Sequence, residues 1–270
     1  MKELKTMGKL KLGDINLFYE ETGSGDPPIL LVHGGMDDHT HFAPQYEHFG
    51  INHRTIAIDL RGYGQSDKPR QNYTIAGYAD DLVWLCNELQ IVKPVIIGHS
   101  MGGLIALELA SKFPELPSAI VILDSPVIPP KEFIEGLKPL VLAMQTQEYR
   151  ENLKNFLLPF IGFTNDPNRK DRLLQELLLV EQHVIASTLA SYSTYNSVSA
   201  AASCKVPVLY VGSGIPFSDL SRFNSLCPQL IVEKTFGSGH YHQLEVPQQI
   251  NSLIDRFLTK ILNSKRVSSQ

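Results

Sequence analysis

A serine between glycines is the strongest candidate for chemistry in this sequence. It lies in the hexapeptide GHSMGG at 98–103, which fits the pattern G-x-S-x-G. In that pattern a sharp turn from a strand into a helix exposes the serine hydroxyl as a nucleophile. The flanking residues predict this context, because 94–100 is an apolar run that enters the turn and 104–113 predicts a helix. We therefore predict that Ser100 attacks a carbonyl carbon.

Backbone N–H groups near Ser100 could hold the negatively charged oxygen that forms during such an attack. The N–H of Met101 lies at the start of the predicted helix, where unpaired N–H groups and the helix dipole favour negative charge. A second donor could come from HGGM at 33–36, which ends another predicted strand. Gly35 is the candidate there, because it lies in a turn at the carboxyl edge of the predicted sheet.

A histidine is needed to take the proton of Ser100 and to return it to the leaving group. The segment GSGHYHQLEVP at 237–247 follows the last predicted strand and contains His240 and His242. A loop at that place can reach Ser100 across the top of a sheet. One of the two histidines is therefore expected to be the base, and their positions alone leave the choice between them open.

Short apolar runs separated by turn residues predict the strands that must position these groups. The predicted strands lie at 15–21, 29–33, 54–59, 94–100, 118–124, 206–212 and 229–236. Helices are predicted at 42–49, 74–90, 104–113 and 247–263. Because apolar strands alternate with helices, the predicted fold class is α/β, with a mostly parallel central sheet flanked by helices.

The alternation of strands and helices is interrupted in the middle of the chain. Between Val127 and about Cys204 the sequence predicts no strand. Four helical stretches are predicted there instead, at 131–147, 149–158, 169–185 and 187–200. We therefore predict one α/β core, formed by residues 1–126 and 204–270, with an inserted helical cap at 127–203.

Four segments, in this order, make the chain resemble the α/β-hydrolase fold family. They are HGG at 33–35, DLRGYGQSDKP at 59–69, GHSMGG at 98–103 and GSGHYHQLEVP at 237–247. The resemblance implies His240 as the base, because the family's base directly follows the glycine of the last segment. It also implies that Gly35 and Met101 donate to the oxyanion. Asp59 and Arg61 fall in a segment that is mostly architectural in the family, so they receive no catalytic role.

The third member expected beside the serine and the histidine is a carboxylate that fixes the histidine tautomer. In most members of the family it follows the strand before the last one, but residues 213–216, Ser-Gly-Ile-Pro, contain no acid. Asp124 ends the strand after the nucleophile helix, a place that a minority of the family uses, and it is the preferred acid. Asp219, 21 residues before His240, is the alternative, although it could instead begin a helix.

Composition argues against several classes of function. The 270 residues carry 24 basic and 28 acidic side chains, a net charge of −4, which gives no basic surface for nucleic acid. No apolar run approaches the roughly 20 residues of a membrane span, and the N-terminus lacks the apolar stretch of a secretory signal. We expect a cytoplasmic protein with Cys86, Cys204 and Cys227 as reduced, buried thiols.

No cofactor is expected, because the sequence has neither a dinucleotide-binding nor a P-loop glycine pattern. The segment DDHTH at 37–41, with His48 and His53 nearby, could suggest a metal site. Its spacing matches no known ligand set. We therefore expect no metal and interpret these histidines as solvent-exposed loop residues.

Together these residues predict a serine hydrolase that transfers an acyl group to water, in the class of carboxylic ester hydrolases. The apolar stretches of the cap favour a small or medium, largely apolar ester, thioester or lactone, bound by a monomer or homodimer. A serine nucleophile argues against relatives that use aspartate, namely haloalkane dehalogenases and epoxide hydrolases. Three alternatives stay open: a carbon–carbon bond hydrolase, a cofactor-free perhydrolase or haloperoxidase, and a ligand-binding signalling module with residual hydrolase activity.

Overall fold

The computed structural model describes residues 5–161, 167–214 and 217–268, which include one eight-stranded sheet. Its strands are β1 Thr6–Leu12, β2 Ile15–Thr22, β3 Ile29–Val32, β4 Thr55–Ile58, β5 Val95–His99, β6 Ala119–Leu123, β7 Val208–Gly212 and β8 Leu230–Lys234. Their order across the sheet is β1-β2-β4-β3-β5-β6-β7-β8. β2 runs antiparallel to β1 and β4, and all other neighbours are parallel. The predicted mostly parallel sheet is confirmed.

The strand β1 is the one strand of this sheet that the sequence analysis did not predict. It lies at the sheet edge, where Lys9 and Lys11 are exposed and alternate with the half-buried Leu10 and Leu12. This strand therefore lacks the continuous apolar run that identified the parallel strands. In the parallel strands β3 to β7, almost all of the four or five residues are buried.

Helices cover both faces of the sheet. Those in the described residues are α1 Ala43–Phe49, α2 Ile75–Glu88, α3 Met101–Lys112, α4 Lys131–Ala143, α5 Tyr149–Leu157, α6 Pro167–Leu177, α7 Gln182–Thr194, α8 Ser197–Ser203, α9 Leu220–Leu226, α10 His242–Glu245 and α11 Pro247–Ser268. Because alternate strand residues face opposite sides, Leu30 and Val32 pack in the cluster that holds α2 and α3. Ile29 and Leu31 pack with α1 and α11. None of the described helices has the length and apolarity needed to cross a membrane.

Five helices, α4 to α8, follow one another between β6 and β7. They occupy most of the segment that was predicted to be helical. The prediction of one continuous helix over 169–185 is wrong, because α6 ends at Leu177 and α7 begins at Gln182. The break redirects the chain so that α7 packs against α4 and α2. The spacing of apolar residues along the sequence cannot predict such a break, because the break depends on contacts with distant helices.

The three cysteines are buried in the core and form no disulfide, as predicted. Burial also raises the pKa of the Cys86 thiol to about 12, so this thiol stays protonated at neutral pH. A protonated, buried thiol is a poor nucleophile. Cys86 therefore contributes packing rather than chemistry.

Candidate active site

Ser100 lies on the turn that joins β5 to α3, in the context that the G-x-S-x-G pattern requires. Its φ of 50° and ψ of −113° lie outside the regions that non-glycine residues usually occupy. Two glycines allow the close approach of backbone that this turn needs. A Cβ on Gly98 would lie 2.2 Å from the carbonyl oxygen of Gly102, and a Cβ on Gly102 would lie 2.1 Å from that of Val32. The glycines therefore permit the strained conformation of Ser100.

His240 lies in the loop after β8, and its ring contacts the carboxylate of Asp124. Nδ1 of His240 and Oδ2 of Asp124 are 2.8 Å apart, although 116 residues separate them along the chain. Because a carboxylate oxygen accepts, Nδ1 carries the proton, and Nε2 of the neutral ring is left as a proton acceptor. The structure thus brings together the histidine and the acid that the sequence analysis preferred.

Asp124 is held from its other side by Ser213, the first residue after β7. The backbone N–H of Ser213 donates to Oδ1 of Asp124 at 2.8 Å, and its hydroxyl donates to Oδ2 at 2.9 Å. Burial raises the pKa of Asp124, but the hydrogen bond from His240 and those from Ser213 outweigh it and bring the pKa below its ordinary value. Ser213, in the segment where the sequence analysis found no acid, thus orients Asp124 at the end of the neighbouring strand.

Asp219, the alternative acid, lies elsewhere. Its side chain is exposed and caps the N-terminus of α9, where Oδ1 accepts from the backbone N–H of Arg222 at 2.9 Å. This is the capping role that the sequence analysis weighed against a catalytic one. The structure does not place Asp219 against His240, whose Nδ1 faces Asp124. Asp124, and not Asp219, is therefore the carboxylate in contact with the candidate base.

His242, the second histidine of the loop, is fully buried. Its Nδ1 lies 3.2 Å from Oγ1 of Thr235, and its Nε2 has no hydrogen-bond partner among the described residues. Burial lowers the pKa of His242 to about 3, despite the opposing effect of Asp124. A neutral, enclosed imidazole of this kind is poorly placed to exchange protons with a substrate, whereas His240 lines the cavity beside Ser100.

The buried His242 is expected to make the fold sensitive to acid. Its pKa in the folded state is about 3, whereas the unfolded chain binds the proton near pH 6.5, an ordinary histidine value. Its contribution to stability is therefore complete above pH 6.5 and is lost as the pH falls toward 3. In His242→Leu, urea unfolding between pH 4 and 6 should show a pH slope smaller by about 1.4 kcal/mol per pH unit. An unchanged slope would contradict this prediction.

The two predicted oxyanion donors lie side by side. A Cβ on Gly35 would lie 4.0 Å from Cβ of Met101, which is the first residue of α3. As the first helical residue, Met101 has an N–H without an acceptor within its own helix. The loop of Gly35 is fixed by His33, whose Nε2 accepts from the backbone N–H of Leu60 at 3.0 Å. Both N–H groups therefore belong to rigid turns that border Ser100.

A buried network that the sequence analysis did not identify joins the loops around Ser100. Asp37 accepts from the backbone N–H of Gly34 at 3.1 Å and from the hydroxyl of Tyr241 at 3.2 Å. Nε2 of the buried His99 donates to the carbonyl oxygen of His240 at 2.9 Å. Burial raises the pKa of Asp37, but the interactions with His41 and His99 outweigh this effect and bring the pKa below its ordinary value. The Asp37 carboxyl is therefore charged. One carboxylate thus ties the glycine loop to the histidine loop.

The histidines after this loop are not solvent-exposed as predicted. His41 is buried, and His39 is nearly so, with its Nδ1 2.7 Å from Oδ1 of Asp59. Asp38, His39 and Asp59 offer ligand atoms within 4.8 Å of one another. Hydrogen bonds already occupy these groups, since Asp38 also accepts from the backbone of Thr40 at 2.9 Å. The prediction of solvent-exposed histidines is wrong for His39 and His41, because each of these rings lies against an acidic side chain, whereas His48 and His53 are half-buried.

A cavity lies beside Ser100 and His240, which both line it. Its apolar wall consists of Phe133, Leu137, Phe156, Leu157, Phe160 and Phe217. The rings of Phe217 and Phe160 lie 5.1 and 5.4 Å from the ring of His240. The lining also includes the polar side chains of Asp37, Tyr192 and Tyr241. The cavity therefore combines a largely apolar, aromatic lining with a few polar groups near the candidate residues.

The model of the alpha/beta hydrolase fold family matches residues 27–247. The chain belongs to this family. The matched range includes the turn of Ser100, the loop of Gly35, Asp124 and His240, and the sheet described above has the corresponding architecture. The resemblance that the four sequence segments carry is thereby confirmed at the level of family and fold.

Similar proteins of the alpha/beta hydrolase fold include enzymes with different activities. The 2-(acetamidomethylene)succinate hydrolase of Mesorhizobium japonicum is 33% identical over 135 residues, which are 50% of this chain and 48% of that protein. An uncharacterized protein of Mycobacterium tuberculosis is 40% identical over 103 residues, 38% of this chain and 30% of that protein. These matches span less than half the length of either relative. A solved esterase of Thermogutta terrifontis is 26% identical, with a TM-score of 0.81, over 97% of this chain and 99% of its own.

Proposed function

We propose that this hydrolase-fold protein is a serine hydrolase that cleaves a carboxylic ester, thioester or lactone through an acyl-enzyme intermediate. The observation that carries the proposal is the 2.8 Å contact between His240 and Asp124. His240 borders the same cavity as Ser100, which is held on a strained turn. The similarity to the Thermogutta esterase over nearly the whole chain supports the proposed ester hydrolysis.

In the proposed reaction, Oγ of Ser100 attacks the carbonyl carbon while Nε2 of His240 takes its proton. The backbone N–H groups of Gly35 and Met101 hold the oxyanion, and Asp124 stabilises the imidazolium. His240 then protonates the leaving alcohol or thiol as its bond to carbon breaks. Water, deprotonated by His240, releases the acid and restores the Ser100 hydroxyl.

We propose that helices α4 to α8 act as the cap of this site. Phe133 and Leu137 on α4 and Phe156 and Leu157 on α5 supply much of the apolar wall. The described lining residues include no lysine or arginine, and they include the charged carboxylate of Asp37. A succinate, as in the name of the Mesorhizobium relative, would find no lysine or arginine there. The cavity therefore favours a neutral substrate with an apolar acyl group.

A fluorophosphonate probe and a panel of p-nitrophenyl esters test the proposed function. We expect one covalent adduct, mapped to Ser100 by peptide mass spectrometry. We also expect kcat/KM for the butyrate ester to exceed that for the matched hemisuccinate ester by about tenfold or more, the equivalent of about 1.4 kcal/mol. A folded protein that neither reacts with the probe nor turns over any ester would overturn the proposal. Preference for the hemisuccinate would overturn only the assigned substrate charge.

A further inference from the structure

We propose that the hydroxyl of Tyr192 is a third hydrogen-bond donor to the oxyanion, beside the N–H groups of Gly35 and Met101. The inference rests on the proposed function, since it concerns the same oxyanion. Tyr192 lies on α7, one of the helices inserted between β6 and β7. It would make the inserted segment part of the chemistry rather than only a cover over the substrate.

The hydroxyl of Tyr192 lies beside the two candidate oxyanion donors. A Cβ built on Gly35 would lie 3.2 Å from the hydroxyl oxygen of Tyr192 and 3.9 Å from Sδ of Met101. The three residues therefore lie around one point, and Gly35 and Tyr192 line the cavity. A carbonyl oxygen that accepts from the N–H of Gly35 would come within reach of the tyrosine hydroxyl.

The hydroxyl of Tyr192 differs from those of its neighbours in its hydrogen bonding. The hydroxyls of three neighbouring tyrosines have hydrogen-bond partners. Those of Tyr63 and Tyr78 lie 2.9 and 3.3 Å from Oγ1 of Thr188. That of Tyr241 donates to Asp37 at 3.2 Å. The hydroxyl of Tyr192 makes no hydrogen bond to any described residue, although its side chain is half-buried and lines the cavity. The hydroxyl is therefore free to donate to a ligand oxygen in the cavity.

The protonation state of Tyr192 suits a donor. Burial raises the pKa of its hydroxyl well above the ordinary value, and the neighbouring Tyr63 and Asp37 raise it further. The phenol therefore keeps its proton throughout the pH range in which a histidine base works. It can donate to a developing negative charge without losing the proton, as the backbone N–H groups do.

The test replaces the tyrosine by phenylalanine, which removes one oxygen and keeps the ring. In Tyr192→Phe we expect kcat for p-nitrophenyl butyrate to fall by about 10²-fold, as for loss of one oxyanion donor, with KM within about twofold of wild type. The matched control is Tyr195→Phe at the end of the same helix, where the hydroxyl donates to the carbonyl oxygen of Leu104 at 3.4 Å. The control should keep kcat within about twofold.

A transition-state analogue separates this role from a structural one. A trifluoromethyl ketone adds to the serine and forms an oxyanion, so its inhibition constant should rise in Tyr192→Phe by about the same factor as kcat falls. Binding of the corresponding alcohol, which forms no oxyanion, should stay within about twofold. An unchanged kcat, or equal losses for ketone and alcohol, would overturn the role of Tyr192. Absence of turnover and of fluorophosphonate labelling in the wild type would instead overturn the proposed function, and this role with it.

Discussion

Replacement of Ser100 by alanine is expected to reduce kcat for p-nitrophenyl esters by about 10⁵- to 10⁶-fold, the scale seen when a serine nucleophile is removed. Alanine removes the atom that attacks the carbonyl carbon, and no acyl-enzyme can form. The strained turn should persist, because Gly98 and Gly102 provide the space that it needs. Single-turnover and steady-state assays on purified protein measure the loss, and circular dichroism verifies the fold.

A surface serine provides the matched control for this substitution. Ser225 is exposed on α9, where its hydroxyl donates to the carbonyl oxygen of Arg222 at 2.7 Å. Ser225→Ala should keep full turnover and full labelling by the fluorophosphonate. Undiminished turnover in Ser100→Ala, or a probe adduct on another residue, would contradict the assignment of Ser100 as nucleophile.

The second large effect is expected at the acid. Asp124→Asn removes the charge that stabilises the imidazolium. An amide that turned its N–H toward Nδ1 would also favour the tautomer that cannot accept a proton at Nε2. We therefore expect kcat to fall by about 10⁴-fold. Ser213 would also lose its charged acceptor, so the free energy of unfolding should decrease by roughly 1 to 3 kcal/mol. Ester kinetics and urea unfolding measure the two effects separately.

Asp219→Asn is the control that the chain itself offers. Asparagine is as good an N-cap as aspartate, so α9 should keep its stability. The carboxylate of Asp219 bonds to the backbone of Arg222, and activity should stay at the wild-type level. The opposite pattern, with activity lost in Asp219→Asn and kept in Asp124→Asn, would show that the acid is misassigned.

The parts of the fold that the sequence predicted are those with strong local signals. Buried parallel strands such as Ile29–Val32 and Val95–His99 are continuous apolar runs, and their ends differ from the predicted ones by at most one residue. The turn at Ser100 is equally local, because its glycines are required by the backbone within a few residues. Edge strand β1 gave a weaker signal, since only one face of it packs against the core.

Long-range contacts explain what the sequence could not decide. Asp124 and Asp219 both follow apolar runs, and only the approach of His240 across the sheet separates their roles. The burial of His41 depends on packing around its loop rather than on its own segment, which is polar. Tyr192 carries no sequence signal either, because a tyrosine on an amphipathic helix usually belongs to the core. Its relation to Gly35 arises only when α7 folds back over the sheet.

The support that Ser213 gives to Asp124 also constrains how this chain can evolve. Moving the acid to the end of β7, where most of the family carries it, needs a change at both positions. Aspartate at both would place two buried carboxylates beside one imidazole, and their mutual repulsion would force one to take up a proton. Loss of Asp124 first would leave His240 without an acid. The two positions are therefore epistatic, and descendants that retain Asp124 are expected to retain a neutral hydrogen-bond donor at 213.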